Sequence, residues 1–349
     1  MSGGSVLPED ARNRFRNSAE MNALAAVSWL IARRVGFPVA SDPARIRWSE
    51  LGPEFPQALR AHGVVTLAVE SPDFDRLPDG LSQRTRAMAA DEMLRSMRRC
   101  AVQRKVMDTL AVHGVEALAL KGLAFSAVAY GNWSSRGTAA DLDLLVPHDQ
   151  VGLAESTFGG LGIGPRGGIP LAPLSGALGR YALWLHYERA YGSDRYGHVD
   201  LHWRPLPGNA SWNSYLSCSR SRRQVSLPGM DVWTLGPVET LLVAWSHGES
   251  ESWRRLKRLA DLWVAWGQAS DEQRSAAMSM TRFLRQSIEL MPERWAGIGS
   301  ERERRIRVVD SNIALWRMRA GSGSVASAAL RAGLGKGLPA KRISDWLSR

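Results

Sequence analysis

Two aspartates one residue apart, Asp141 and Asp143, are the residues most able to do chemistry in this chain. They lie in the apolar stretch 139–146, which has the composition of a strand. Because side chains alternate along a strand, the two carboxylates project from one face. Like charges this close repel each other unless a cation neutralises them. The pair is therefore a candidate Mg²⁺ site, and Asp200 in the strand predicted at 198–203 could supply a third oxygen ligand.

A Lys-Gly turn at Lys121 and Gly122 lies upstream of the acidic pair, between a short apolar strand and a helix predicted to end at Gly131. A glycine turn lets backbone N–H groups approach a phosphate, and the N-terminus of the following helix adds a positive dipole. Lys121 is a candidate phosphate contact and Arg136 a second. Lys121 could instead close the strand, and Arg136 could pair with Asp141 or Asp143. Such a turn beside acidic residues suits handling of a nucleoside triphosphate.

These motifs, in this order, resemble the uncharacterised nucleotidyltransferase family of the DNA polymerase β-like superfamily. The resemblance covers roughly residues 80–265 and continues into the helical half of the chain. It rests on Leu120–Gly122, Tyr130, Arg136, the run 141–146, the run 199–203, Pro237–Glu239, His247 and the run 253–262. It implies an α+β fold, in which a nucleotidyltransferase-like mixed sheet with helices is followed by a helical bundle. Members of the superfamily usually carry Gly-Ser at the turn, whereas Lys121-Gly122 is the pattern of this particular family.

The resemblance also implies a reaction, transfer of a nucleoside monophosphate from a nucleoside triphosphate, with ATP favoured. Asp141, Asp143 and Asp200 would be catalytic and would hold two Mg²⁺ ions, which stabilise the attacking and leaving oxygens together. Asp200 could also accept the proton of the attacking group. The acceptor is a hydroxyl or phosphate of an unknown small molecule, peptide or protein.

Other interpretations remain open at this point. His198, Asp200 and His202 alternate on one strand face, and such a set could bind zinc in a divalent-metal hydrolase. A non-catalytic nucleotide-binding module is another possibility. Lys257 shares a predicted helix face with Trp253 and Asp261, so it either forms an exposed pair or contacts the nucleotide or acceptor. His247 follows an apolar helix, which favours a structural role.

Bulk composition constrains the class of protein. The chain has 349 residues, of which 44% are hydrophobic and 23% charged, as in an ordinary globular protein. No apolar run approaches the ~20 residues that span a bilayer, and no signal peptide is visible. Cys100 and Cys218 form no metal motif, so we expect a reduced, cytoplasmic protein. The net charge of +11 makes nucleic acid a weak candidate partner, because the arginines are dispersed.

The pattern of apolar residues and chain breaks predicts four segments. Residues 1–80 form an N-terminal helical region, 81–235 the nucleotidyltransferase core, 236–320 a C-terminal helical bundle, and 321–349 a basic, loosely ordered tail. Within them we expect a long helix at 81–113, a strand at 115–120, helices at 123–130 and 150–161, paired strands at 184–191 and 198–203, and a hairpin at 224–235. Further helices are expected at 237–247, 252–268, 271–290 and 301–318.

Overall fold

The computed structural model describes residues 9–38, 43–137, 141–166, 183–184, 186–207 and 213–296. The helices in these ranges are α1 Glu9–Val35, α2 Glu54–His62, α3 Val65–Val69, α4 Asp79–Val112, α5 Gly122–Tyr130, α6 Val151–Gly160, α7 Tyr215–Ser221, α8 Pro237–Ser250, α9 Leu256–Gln268, α10 Asp271–Met280, α11 Arg282–Glu289 and α12 Met291–Ala296. The strands are β1 Leu118–Ala119, β2 Asp141–Leu145, β3 Gly164–Pro165, β4 Glu188–Ser193, β5 Gly197–His202, β6 Arg223–Leu227 and β7 Met230–Thr234.

The described strands form one seven-stranded mixed sheet in the order β3-β4-β5-β2-β1-β7-β6. Two pairs are parallel, β2 with β5 and β1 with β7, and the other neighbours are antiparallel. The parallel pairs join strands that are distant in sequence, as crossover connections require. The sheet and its helices confirm the α+β class expected from the sequence.

One face of the sheet packs on α4 and α6. Leu142 and Leu144 of β2 and Val199 and Leu201 of β5 share a buried cluster with residues of those helices, including Phe158. Since side chains alternate along a strand, the intervening residues of β2 and β5 point to the opposite face. This alternation directs the acidic residues away from the α4–α6 layer.

A second, larger core joins helices from the two ends of the described chain. Phe37, which follows α1, stacks on Trp295 of α12 at 4.3 Å between ring centroids and meets Trp263 of α9 edge-on at 4.9 Å. The same cluster continues through α2, α5 and α8. The N-terminal and C-terminal helical regions therefore share one hydrophobic core, and the segment boundaries remain predictions.

Several local predictions are confirmed by the described residues. Helix α5 ends at Gly131, whose φ of +70° is the left-handed conformation that glycine adopts without strain. The β6–β7 hairpin has Gly229 at its tip, with φ of +74°. Pro237 occupies the first turn of α8, where its missing N–H costs nothing. The long helix expected at 81–113 is α4.

Other predicted boundaries are wrong, each for a local reason. The helix expected at 252–268 begins at Leu256, because Ser252 and Trp253 have positive φ. The helix expected at 271–290 is two helices, because Thr281 adopts an extended conformation between them. The strand expected at 115–120 has only two paired residues. The helix expected at 301–318 and the tail at 321–349 lie outside the described residues.

Among the described residues, Cys100 and Cys218 are both buried free thiols. In the same part of the chain, the helices are too short or too polar for any of them to cross a bilayer.

Gly248 in α8 tests how tightly the helical core is packed. A Cβ at this position would overlap the Trp253 ring, which is 1% exposed. We expect Gly248→Ala to lower the free energy of unfolding by ~1–3 kcal/mol, because an overpacked core must shift. The matched control is Gly267→Ala in α9, where a Cβ meets no atom within 4 Å. That change should be neutral or stabilising by up to ~1 kcal/mol. Urea denaturation of both variants measures the difference, and equal effects would contradict the packing.

Candidate active site

Strands β2 and β5 bring the three predicted aspartates together. The parallel register pairs Asp143 with Asp200 and Asp141 with His198. All three carboxylates belong to the sheet face opposite the α4–α6 layer, because the residues between them are packed in that layer. The grouping predicted from the period of two is therefore present in the backbone register.

Lys121 contacts this acidic face directly. Its Nζ atom lies 2.8 Å from Asp143 Oδ1, and both side chains are mostly buried. The Leu120 amide donates to the Asp143 carbonyl at 3.0 Å, which fixes the end of β1 against β2. Lys121 is extended at the N-cap of α5, and Gly122 has a φ of +60°. The turn therefore has the positive φ expected of glycine, and its lysine binds a carboxylate in this structure.

His202 is a second partner of Asp143. Its Nε2 atom lies 3.1 Å from Asp143 Oδ1, and its Nδ1 atom lies 3.2 Å from Glu188 Oε2 on β4. The imidazole is fully buried. Burial by itself would raise the pKa of Asp143, but the Lys121 ammonium and His202 hold that pKa well below its usual range. The alternation of His198, Asp200 and His202 signalled that His202 shares the acidic face, whereas no local pattern pointed to Glu188.

Asp200 has the opposite electrostatic environment. Burial, followed by the charges of Asp143, Glu188 and Asp141, raises its pKa to about 7, against the effect of Lys121. The face therefore carries more negative charge than its cations neutralise. Hard carboxylate oxygens in such a setting suit Mg²⁺.

No closed metal site is formed in this conformation. Within the described parts of the chain, no three His, Cys, Asp or Glu side chains are gathered closely enough to hold a metal ion. The Asp143 carboxylate is engaged by Lys121 and His202 instead. The carboxylate oxygens thus fit a divalent cation, but in this conformation Asp143 is paired with the Lys121 ammonium. The zinc interpretation gains no support, since His198 is exposed whereas His202 is buried.

Arg136 is held by a partner that the sequence did not indicate. Its Nε and Nη2 atoms donate to both carboxylate oxygens of Asp261 on α9, at 2.8–3.0 Å. The Tyr130 hydroxyl donates to the same carboxylate at 2.9 Å. Asp261 is 1% exposed, so the expected exposed pair with Lys257 is wrong. A phosphate contact for Arg136 stays a prediction.

Lys257 and His247 lie near this network. Burial, followed by the charge of the neighbouring Arg136, lowers the pKa of Lys257 to about 7, against the effect of Asp261. Burial, Lys121 and Arg258 together hold the pKa of His247 well below its usual value. His247 is therefore neutral at neutral pH and senses the charge of the acidic face. The sequence pattern around His247 favoured a structural role and did not indicate that it lies near the acidic face.

Residues 52–295 of the chain match the sequence model of a protein family that is described as an uncharacterised nucleotidyltransferase. Since this range is most of the sequence, the protein belongs to that family and is a transferase. The match extends beyond the 80–265 range of the sequence resemblance, into the N-terminal helices and as far as α12.

Other comparisons add less. No curated protein matches the chain. A solution structure of the antibiotic-resistance factor ANT(2'')-Ia is similar at 12% identity and a TM-score of 0.39, covering 54% of this chain and 94% of that one.

The raised pKa of Asp200 has a consequence for stability. A carboxyl with a raised pKa is destabilising when ionised, so this cost appears as pH rises from its ordinary 3.8 to about 7 and then stays constant. We expect Asp200→Asn to raise the Tm of metal-free protein, with a larger gain at pH 8 than at pH 5. Thermal unfolding in a chelator measures this. A gain that is independent of pH would contradict the electrostatic cause.

The Arg136–Asp261 pair is expected to be a large contributor to stability. Arg136→Met leaves the Asp261 carboxylate short of its main partner in a buried site, which should cost ~3–5 kcal/mol in the free energy of unfolding. Arg33→Met is the control, because the Arg33 side chain is 50% exposed in its pair with Asp73 and should contribute less than ~1 kcal/mol. Urea denaturation distinguishes the two. Equal small losses would show that Arg136 is available for another role.

Proposed function

We propose that this protein transfers a nucleoside monophosphate from a nucleoside triphosphate to an acceptor oxygen, in a reaction that depends on Mg²⁺. The proposal goes beyond family membership by naming the metal, the donor and the residues. Its main support is the parallel register of Asp143 with Asp200 beside the Lys121-Gly122 turn. A purely structural sheet has no need of three carboxylates on one face.

In the proposed reaction, an acceptor oxygen attacks the α-phosphorus of the triphosphate. The bond from that phosphorus to the bridging oxygen of the β-phosphate breaks, and pyrophosphate leaves with the electron pair. The acceptor proton passes to a base, for which Asp200 is the candidate because its carboxylate lies opposite Asp143 on the acidic face. Asp141, Asp143 and Asp200 would hold the Mg²⁺ ions, which supply charge stabilisation at the phosphorus oxygens.

Lys121 and Gly122 are the proposed triphosphate contacts. The Gly122 turn exposes the N-terminus of α5, where backbone N–H groups favour an anion. The Lys121 ammonium already lies against Asp143 and could serve phosphate oxygens at the same position. Arg136 and Lys257 are weaker proposals, since Arg136 is bonded to Asp261 and the uncharged form of Lys257 is favoured by burial.

The donor and acceptor are proposed only as classes. ATP is the first nucleotide to test, and the acceptor is a hydroxyl or phosphate of a small molecule, peptide or protein. Nucleic acid stays a weak candidate on the strength of the +11 charge alone. The two buried free thiols suit a reducing compartment, so the cytoplasm remains the proposed location.

The central test follows the α-phosphate. The protein is incubated with each α-³²P nucleoside triphosphate, Mg²⁺ and pooled acceptors. We expect label transfer that stops with a chelator and falls by at least ~100-fold in Asp143→Asn, because the metal loses a charged ligand. Asp149→Asn is the control, since Asp149 is an exposed carboxylate on the loop after β2 and should leave transfer unchanged.

Three results would defeat the proposal. The first is no label transfer with any nucleotide, and the second is transfer that persists undiminished in Asp143→Asn. The third is transfer from γ-³²P nucleoside triphosphates, tested in parallel, with none from the α-label, which would indicate phosphoryl chemistry. Triphosphate binding without metal and without transfer would favour a nucleotide-binding module.

A further inference from the structure

Arg99 of α4 is a buried cation that the proposed reaction has not used. Its Nη1 atom donates to the Tyr196 carbonyl at 2.9 Å, and its Nη2 atom donates to the His198 carbonyl. The residue is 8% exposed. Nearly one hundred residues of sequence separate the arginine from the two carbonyls, so the contact ties α4 to the start of β5.

These two carbonyls flank the residue where β5 begins. Gly197 lies between them with φ of +68°, and a Cβ there would be 3.3 Å from Arg99 Nη1. Asp200 follows only two residues after His198 on the same strand. A guanidinium has a planar fork that donates in two fixed directions, which an ammonium group does not reproduce. The contact therefore determines where β5 starts relative to α4.

Arg99 also experiences the charge of the acidic face. Burial lowers the pKa of Arg99, while the charges of Asp141, Asp143 and Asp200 act in the opposite direction. The guanidinium is thus close enough to these carboxylates to interact with them, although it donates its hydrogen bonds to the carbonyls of Tyr196 and His198. A buried charge whose bonds all go to one turn is costly to maintain unless nearby opposite charges offset its desolvation.

We propose that Arg99 is a positioning residue, which holds the start of β5 so that Asp200 stays opposite Asp143. The inference rests on the proposed function, because its consequence is a correctly spaced set of metal ligands. Lys121 and Gly122, the proposed triphosphate contacts, follow β1, which pairs with the edge of β2 opposite β5. Loss of Arg99 should therefore affect metal binding and turnover more than nucleotide binding.

The first experiment compares Arg99→Met and Arg99→Lys with Arg98→Met, an exposed neighbour on α4. Mn²⁺ binding is measured by calorimetry, and kcat and KM for the triphosphate are measured separately. In both Arg99 variants we expect Mn²⁺ affinity and kcat to fall on the order of 10- to 100-fold. The reason is that a displacement of the Asp200 carboxylate by about 1 Å weakens both metal binding and catalysis. KM should stay within about threefold, and Arg98→Met should match wild type.

A second pair of variants keeps the inference testable if Arg99 variants fail to fold. Gly197→Ala places a Cβ against Arg99 Nη1. Gly229→Ala, at the tip of the β6–β7 hairpin, places a Cβ 3.1 Å from Nη1 of Arg104 in α4. Both glycines have positive φ, so both changes carry similar backbone strain. We expect both to lower Tm, but only Gly197→Ala should weaken Mn²⁺ binding and kcat.

The outcomes separate this inference from the function on which it rests. Wild-type protein that binds no Mn²⁺ and transfers no nucleotide would overturn both. Wild-type protein that does both, with unchanged Mn²⁺ affinity and kcat in folded Arg99→Met or in Gly197→Ala, would overturn the positioning role alone. A loss confined to KM or to Tm would also overturn it.

Discussion

The parallel pairing of β2 with β5 is the constraint on which the rest of the structure depends. It puts Asp143 opposite Asp200 and so concentrates negative charge on one face of the sheet. Carboxylates in a partly buried site repel each other and must be compensated. Lys121 and His202 both contact Asp143. Asp200 has less compensation from positive charge, and its pKa is raised. This uncompensated charge destabilises the metal-free protein, and it also makes the face suitable for a divalent cation.

The helices fix this face from two directions. Helix α4 runs from the N-terminal helices to the sheet, and its Arg99 donates a hydrogen bond to the Tyr196 carbonyl just before β5. From the other side, Arg136 in the loop before β2 is bonded to Asp261 of α9. The N-terminal and C-terminal helices also share one core. Residues outside the sheet therefore hold the strands that carry the aspartates, and the family match also includes flanking helices.

Much of the local structure was predictable because it is encoded by short-range patterns. Alternation of leucine with aspartate in β2 predicted which side chains share a face, and glycine or proline marked the ends of α5, the β6–β7 hairpin and the start of α8. The failures are also local. Positive φ at Ser252 and Trp253 breaks a periodic apolar pattern that otherwise continues into α9, and neither residue type signals that conformation.

The sequence by itself determined that Asp141 and Asp143 would share one strand face and that Lys121-Gly122 would form a turn, because strand alternation and glycine turns follow from neighbouring residues. The mixed sheet and the place of Asp200 in the acidic set were implied by the family resemblance. Only the tertiary structure decided the partners. The chain has 45 lysines and arginines, and pattern alone could not assign Lys121 to Asp143, Arg136 to Asp261 or Arg99 to the β5 turn. These contacts join residues 22 to 125 positions apart. Their choice depends on how helices pack on the sheet, which is a property of the whole chain.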